Sequence, residues 1–144
     1  LRHGPIELET LADHLKRKVE DRTRGPASPA AQTAPGMLSR HYSPRTPLTL
    51  LAAAAFQERR LHPRAGDAAR AFIAQARPVD GALGPNQFWF SESGRAAEVA
   101  KQLFHLIQTI DRRDFAEIIV EQPPDHGIGR AIHDRLLRAA AKET

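Results

Sequence analysis

The stretch Ala116-Glu117-Ile118-Ile119-Val120-Glu121-Gln122-Pro123-Pro124-Asp125-His126-Gly127-Ile128-Gly129-Arg130-Ala131-Ile132-His133-Asp134-Arg135-Leu136 decides the fold class. Its first six residues centre on three consecutive β-branched side chains, a strand signature. Pro123-Pro124 cannot continue a paired strand and ends it. Apolar residues then recur at helical spacing, with Ile128, Ile132, Leu136 and Ala140 on one face and Arg130, Asp134, Arg138 and Lys142 on the other. This predicts a helix from about 128 to 141 with a polar, wet outer face. The glycines at 127 and 129 sit at the reversal between strand and helix. They lack the third glycine of a dinucleotide fingerprint, because position 132 is Ile, so tight packing of helix on sheet is the better reading than an anion site.

Working outward, the same alternation repeats. Ser93 is positioned to cap a helix running to about Ile110, with Ala96, Val99, Ala100, Leu103, Ile107 and Ile110 inward. Gln87–Ser91 reads as a strand through Phe88-Trp89-Phe90, and Gly84-Pro85-Asn86 as a turn ahead of it. Pro78–Leu83 is expected to form a short strand. Asp67 is expected to cap a helix through about Gln75, with Ala69, Phe72, Ile73 and Ala76 inward. Leu48 to Phe56 is the longest apolar run, broken only by Thr49, and predicts a buried strand over 48–53. Strands alternating with helices indicate an α/β fold: a mainly parallel sheet with helices on its faces, in three layers, with right-handed crossovers.

Ahead of residue 48 the composition changes. Residues 22–47 hold five of the eleven prolines and show no apolar periodicity, which marks a linker. Within it, Ala34-Pro35-Gly36-Met37-Leu38-Ser39-Arg40-His41-Tyr42-Ser43-Pro44-Arg45-Thr46-Pro47-Leu48 contains the only tyrosine beside a histidine, between prolines. That pairing is unusual for a passive spacer. Glu7 to Asp21 reads as an amphipathic helix, with Leu8, Leu11, Ala12, Leu15 and Val19 on one face. The expected organisation is residues 1–21 as the tail end of a preceding domain with a helix, 22–47 as a linker, and 48–144 as an α/β domain. The start at Leu1 looks like a cut inside a longer protein, and no signal peptide is recognisable.

The formal net charge is +4. The excess is uneven: residues 1–45 carry eight Lys/Arg against five Asp/Glu, and the remainder thirteen against twelve. A basic arm attracts phosphate from nucleotide or RNA, although charge runs are more often a solvated surface. The chain has no cysteine, which excludes disulfides and thiolate metal sites. His126 and His133 are seven apart, with no HxxxH or HExxH, so metal binding is not expected. There is no P-loop and no Gly-x-Ser-x-Gly elbow. Phe88, Trp89 and Phe90 could stack on RNA, but strand alternation favours core packing. No apolar run approaches the roughly 18 residues of a membrane span, so no membrane association is expected.

The segment from Ala34 to Leu48 resembles the inter-domain linker of the two-domain threonylcarbamoyl-AMP synthases, which typically reads SPGMKYxHYAPxxPL. Leu1-Arg2-His3-Gly4-Pro5-Ile6 resembles the LRPGxI that closes the catalytic, YrdC-like domain of that family, and Gly127–Leu136 resembles its C-terminal GLGxAIxNRL. The three stretches occur in the family's order and span nearly the whole chain. The resemblance implies a small Rossmann-like accessory domain preceded by an N-terminal helix and a Pro-rich linker. It implies an enzyme making threonylcarbamoyl-AMP from L-threonine, bicarbonate and ATP (with Mg), for modification of tRNA. In that family the catalytic groups lie in the YrdC-like domain, so this chain alone is expected to be inactive and to bind no cofactor of its own.

The same resemblance assigns the linker a lid role over ATP and the adenylate. Carried over residue by residue, Arg40, His41 and Tyr42 would contact nucleotide or substrate, Arg2 would lie close to the nucleotide site, and Pro35, Gly36, Met37 and Pro44 would shape the linker. Leu38 and Ser39 replace the family's Lys-Tyr, and His3 replaces its proline. Expected partners are the catalytic YrdC-like domain and, less directly, the transferase machinery and tRNA, in the cytoplasm. An RNA-binding or partner-binding regulatory module is the alternative.

Overall fold

A four-stranded sheet, parallel throughout, organises the chain. The structure, a computed structural model, describes Thr10, Asp13 and residues 43–81 and 83–141. In chain order, β1 is Leu48–Leu51, α1 Ala53–Leu61, β2 Arg70–Ala76, β3 Gln87–Ser91, α2 Ala96–Asp111, β4 Glu117–Glu121 and α3 Gly127–Ala140. The strand order is β1-β4-β2-β3, and every pairing is parallel. Thr10 and Asp13 are helical. They fall inside the helix expected over Glu7–Asp21, the rest of which lies outside the described residues.

β4 occupies an interior position, with Ile118 opposite Leu48 on one side and Ala71 on the other. A strand covered on both faces needs a continuous apolar run rather than alternation. Ile118, Ile119 and Val120 are accordingly all fully buried. Ile118 and Val120 point to the face covered by α2 and α3, where they meet Val99, Leu103, Ile107, Ile110, Ile132 and Leu136. Ile119 points to the opposite face, with Phe56 of α1, Phe72 and Ala74. Helices therefore flank the sheet in three layers, the Rossmann-like α/β arrangement. Each fully buried Ile, Leu or Phe contributes about 1.5–3 kcal/mol through removal of apolar surface from water.

Crossovers explain the order. From β1 the chain passes through α1 on one face and enters β2 two places over. From β3 it returns through α2 on the other face to insert β4 between β1 and β2. Opposite directions on opposite faces give both crossovers the same hand.

Several sequence expectations are corrected. The segment expected as a helix from Asp67 to Gln75 is a 3-10 turn at Asp67–Ala69 followed by β2. Ala71, Phe72, Ile73 and Ala74 are all buried, because β2 is also interior and packed on both faces; such a run fits either period. The strand expected over 48–53 stops at Leu51, and α1 takes up the rest of the apolar run. Four consecutive alanines from Ala52, strong helix formers and poor strand formers, explain the switch. The strand expected over Pro78–Leu83 does not form among the described residues. Residues 78–81 lie in a loop held by the buried Arg60, whose guanidinium donates to the Asp80 carbonyl (3.0 Å) and carboxylate.

Ser93 lies two residues ahead of the N-cap of α2, which is Arg95. Its hydroxyl instead accepts the Arg95 N–H (3.2 Å) and donates to Glu98 (2.7 Å). On α3, Asp134 and Arg138 are half-buried and joined by two hydrogen bonds of 3.0 and 3.3 Å, not a freely wet face. Lys142 lies outside the described residues. The strand over 87–91 and the long helices α2 and α3 stand where the sequence puts them. Phe88 and Phe90 face the α2/α3 core and Trp89 the α1 side, so this aromatic triplet is packing.

Gly129 justifies the reading of the glycine turn. A Cβ there would lie 2.2 Å from the Pro124 carbonyl oxygen, so α3 meets the end of β4 through bare backbone. Gly129→Ala is expected to cost about 1–3 kcal/mol as an overpacking substitution, read as a lowered urea midpoint with an unchanged m-value. An unaltered midpoint would contradict that contact.

Candidate functional site

Of the sequence-derived site residues, only Pro44 falls among the described ones. Arg2, Pro35, Gly36, Met37, Arg40, His41 and Tyr42 lie outside them. The described part of the proline-rich segment is its foot, residues 43–47, and three separate ties hold it to the α/β unit. The Ser43 hydroxyl donates to the Arg138 carbonyl near the end of α3 (3.2 Å). The Thr46 N–H donates to Asp111 Oδ1 at the last residue of α2 (2.8 Å). The Ile118 N–H of β4 donates to the Pro47 carbonyl (2.8 Å). Arg45 adds an ion pair to Asp111 Oδ2 at 3.7 Å. Pro44 and Pro47 fix their own φ angles, so the foot is stiff as well as anchored.

Asp111 is the electrostatic centre of this foot. Burial pushes its carboxyl up, but bonds from the Thr46 and Arg45 backbone N–H groups and the Thr46 hydroxyl, with the Arg45 charge, hold it below the usual carboxylate range. No sequence reasoning singled it out. Its signal was an acidic residue at a helix C-terminus, where the helix dipole favours cations.

A second polar cluster stands on the α1 face, at the amino end of the sheet. Asp67 is almost fully buried. It accepts two bonds from Arg59 (2.8 and 3.3 Å), one from Arg70 (3.2 Å) and the Arg64 N–H (2.8 Å). The Arg59 bond dominates in holding its carboxyl below the ordinary value, against desolvation. Arg70 continues to Glu117 (2.8 Å), which also accepts the Thr49 hydroxyl (2.7 Å). Every carboxylate in this chain of bonds is paired, and its role is to tie β1, β2, β4 and the 3-10 turn together.

At the carboxyl edge, β1 and β4 send their connections to opposite faces, the place where open α/β sheets commonly hold ligands. Here the polar groups satisfy one another. Glu121 accepts the Gln75 N–H (2.8 Å) and the Gln57 amide (3.4 Å). The Gln122 N–H donates to the Leu51 carbonyl (2.8 Å). The Gln122 side-chain nitrogen lies 3.0 Å from His133 Nε2. Among the described residues no group of three or more His, Asp or Glu is placed to hold a metal ion, and no helix is long and apolar enough to cross a membrane.

Comparison with known proteins agrees with the architecture. No curated protein matches the chain. A solved structure, described as P. abyssi Sua5 complexed with L-threonine, superposes with a TM-score of 0.68 at 22% identity, over 97% of this chain and 41% of that one. The present chain thus spans about two-fifths of that protein's length. At this identity the likeness establishes the fold. The family described as threonylcarbamoyl-AMP synthase, C-terminal domain, matches residues 6–141, which takes in both the proline-rich segment and the α/β unit. With nearly every residue covered by that match, the chain belongs to the family of threonylcarbamoyl-AMP synthase C-terminal domains.

Proposed function

We propose that this chain supplies the linker lid and accessory domain of an enzyme that makes threonylcarbamoyl-AMP from L-threonine, bicarbonate and ATP, with release of pyrophosphate, for threonylcarbamoyladenosine modification of tRNA. The observation that carries the reading is the family match over residues 6–141, which includes the linker as well as the folded unit. In this reading the catalytic groups belong to a YrdC-like domain, and these 144 residues by themselves are inactive. ATP, with its magnesium, and L-threonine are substrates of the whole enzyme.

In this reading His41 and Tyr42 close over the nucleotide, Arg40 supplies a charge-assisted contact to phosphate, and Arg2 lies close to the nucleotide site. Pro35, Gly36, Met37 and Pro44 set the linker's path. The product is a carbamoyl–phosphate anhydride, which water hydrolyses, so a lid that excludes water conserves it. The partners are the YrdC-like domain and the tRNA-modifying transferase that consumes the adenylate, in the cytoplasm.

The test uses a YrdC-like catalytic domain joined ahead of this chain. His41→Ala/Tyr42→Ala should lower kcat for pyrophosphate release at least tenfold while leaving the thermal unfolding of the protein in place. Unchanged kinetics in the double variant would remove the lid role.

A further inference from the structure

The strongest unexplained group is Asp111. A carboxylate at the last residue of α2 opposes the helix dipole, so helix stability gives no reason for it. Its side chain is largely buried, 16% exposed, and both oxygens are directed at the foot of the linker. Oδ1 takes the Thr46 N–H at 2.8 Å and Oδ2 faces Arg45 at 3.7 Å. The Arg45 side chain is 85% exposed, so the ion pair itself adds little. The backbone bond to a charged acceptor is the stronger contact, about twice a neutral one.

We propose that Asp111 is a positioning residue for the linker: by clamping residues 45 and 46 it fixes how the foot of the linker is held on the accessory domain. The inference rests on the lid reading above. Thr46 and His41 are five residues apart, at most about 18 Å along the chain. The two prolines at 44 and 47 limit the bending available next to the clamp. The Ser43 bond to Arg138 is a second tie on the same side of the clamp as the lid residues. Two ties flanking Pro44 define an orientation, which a single tie would not.

Two readouts test this. In the full 144-residue chain, tryptic cleavage of the Arg45–Thr46 bond is followed by mass spectrometry. Asp111→Ala is expected to accelerate that cleavage about tenfold, and Asp111→Asn, which keeps one acceptor oxygen, by less, with thermal unfolding of both variants near that of the parent. Equal cleavage rates in all three would overturn the clamp whatever the lid does. In the protein joined to a YrdC-like domain, Asp111→Ala is expected to raise KM for ATP several-fold with a smaller change in kcat. Loss of the clamp with ATP kinetics unchanged, while His41→Ala/Tyr42→Ala remains impaired, would overturn the positioning role and leave the lid reading intact. Insensitivity of both variants would sink the lid reading and the positioning role with it.

Discussion

Replacing Phe56 with alanine is expected to destabilise the domain by about 3–5 kcal/mol, the range for deleting a fully buried aromatic ring. Phe56 is wholly inaccessible. It meets Phe72 edge-to-face, with centroids 6.1 Å apart. The α1 face has a small core, in which Phe56, Phe72, Ala74 and Ile119 are the buried members. Nothing else in α1 replaces the ring, because the exposed alanines ahead of it face solvent. Domains of this size have about 5–15 kcal/mol of stability in total, so the variant should lose a large share of it. Urea unfolding monitored by circular dichroism reads the change directly. A loss below about 1 kcal/mol would mean that this face contributes little and that the three-layer account overstates α1.

The second large effect concerns Asp67. Asp67→Ala leaves Arg59 and Arg70 facing each other without their shared carboxylate and strips the Arg64 N–H of its acceptor. Breaking a buried charge network costs about 3–5 kcal/mol. The two guanidiniums keep 22% and 30% exposure, so about 3 kcal/mol is the reasonable expectation after solvent screening. The same group predicts a pH dependence. Its folded-state pKa lies below the ordinary 3.8. The unfolded chain therefore binds the proton more readily, and the stabilisation is present above the ordinary value and is lost as pH falls through the lower folded value. Glu117 and Asp111 are shifted in the same direction, in each case by bonds that outweigh burial. Urea midpoints should hold between neutrality and about pH 5, then fall steeply toward pH 3. Asp67→Asn should show a shallower acid decline than the parent; parallel acid branches would contradict the network.

The α/β class was legible because it rests on elements whose pattern admits one reading. Ile118-Ile119-Val120 is too short and too β-branched for a helix, and the heptad-like spacing from Val99 to Ile110 is too long for a strand. Residues 67–76 misled because interior strands lose the alternation that identifies strands, and Ala69, Phe72, Ile73 and Ala76 happen to fall at helical spacing. The apolar run from Leu48 to Phe56 concealed a boundary that only the change from leucine to alanine marks. α1 owes its burial to Phe56 and Arg60, too few positions to register as a periodic face.

The site was legible to a different extent. The motif Pro35–Pro44 is visible in the sequence because histidine and tyrosine between prolines are uncommon, and its likeness to the family linker is a matter of identity at fixed positions. The anchor was not visible. Asp111 lies sixty-five residues from Thr46, and only the folded α/β unit, in which α2 shares one core with β1 and β4, brings the two together. Long-range pairs between single polar residues leave no periodicity and no composition signal.

On the proposed function, this chain completes an adenylate-forming enzyme without performing the chemistry itself. The most direct measurement is pyrophosphate release from ATP, L-threonine and bicarbonate by a YrdC-like catalytic domain, alone and then with this chain either added or covalently joined. The account predicts stimulation in the joined protein, reversed by His41→Ala/Tyr42→Ala, and no pyrophosphate release by this chain alone. Equal rates with and without the chain in both formats, or release by the chain alone, would contradict it. Tight, steeply salt-dependent binding of tRNA by the chain would then favour an RNA-binding module in its place.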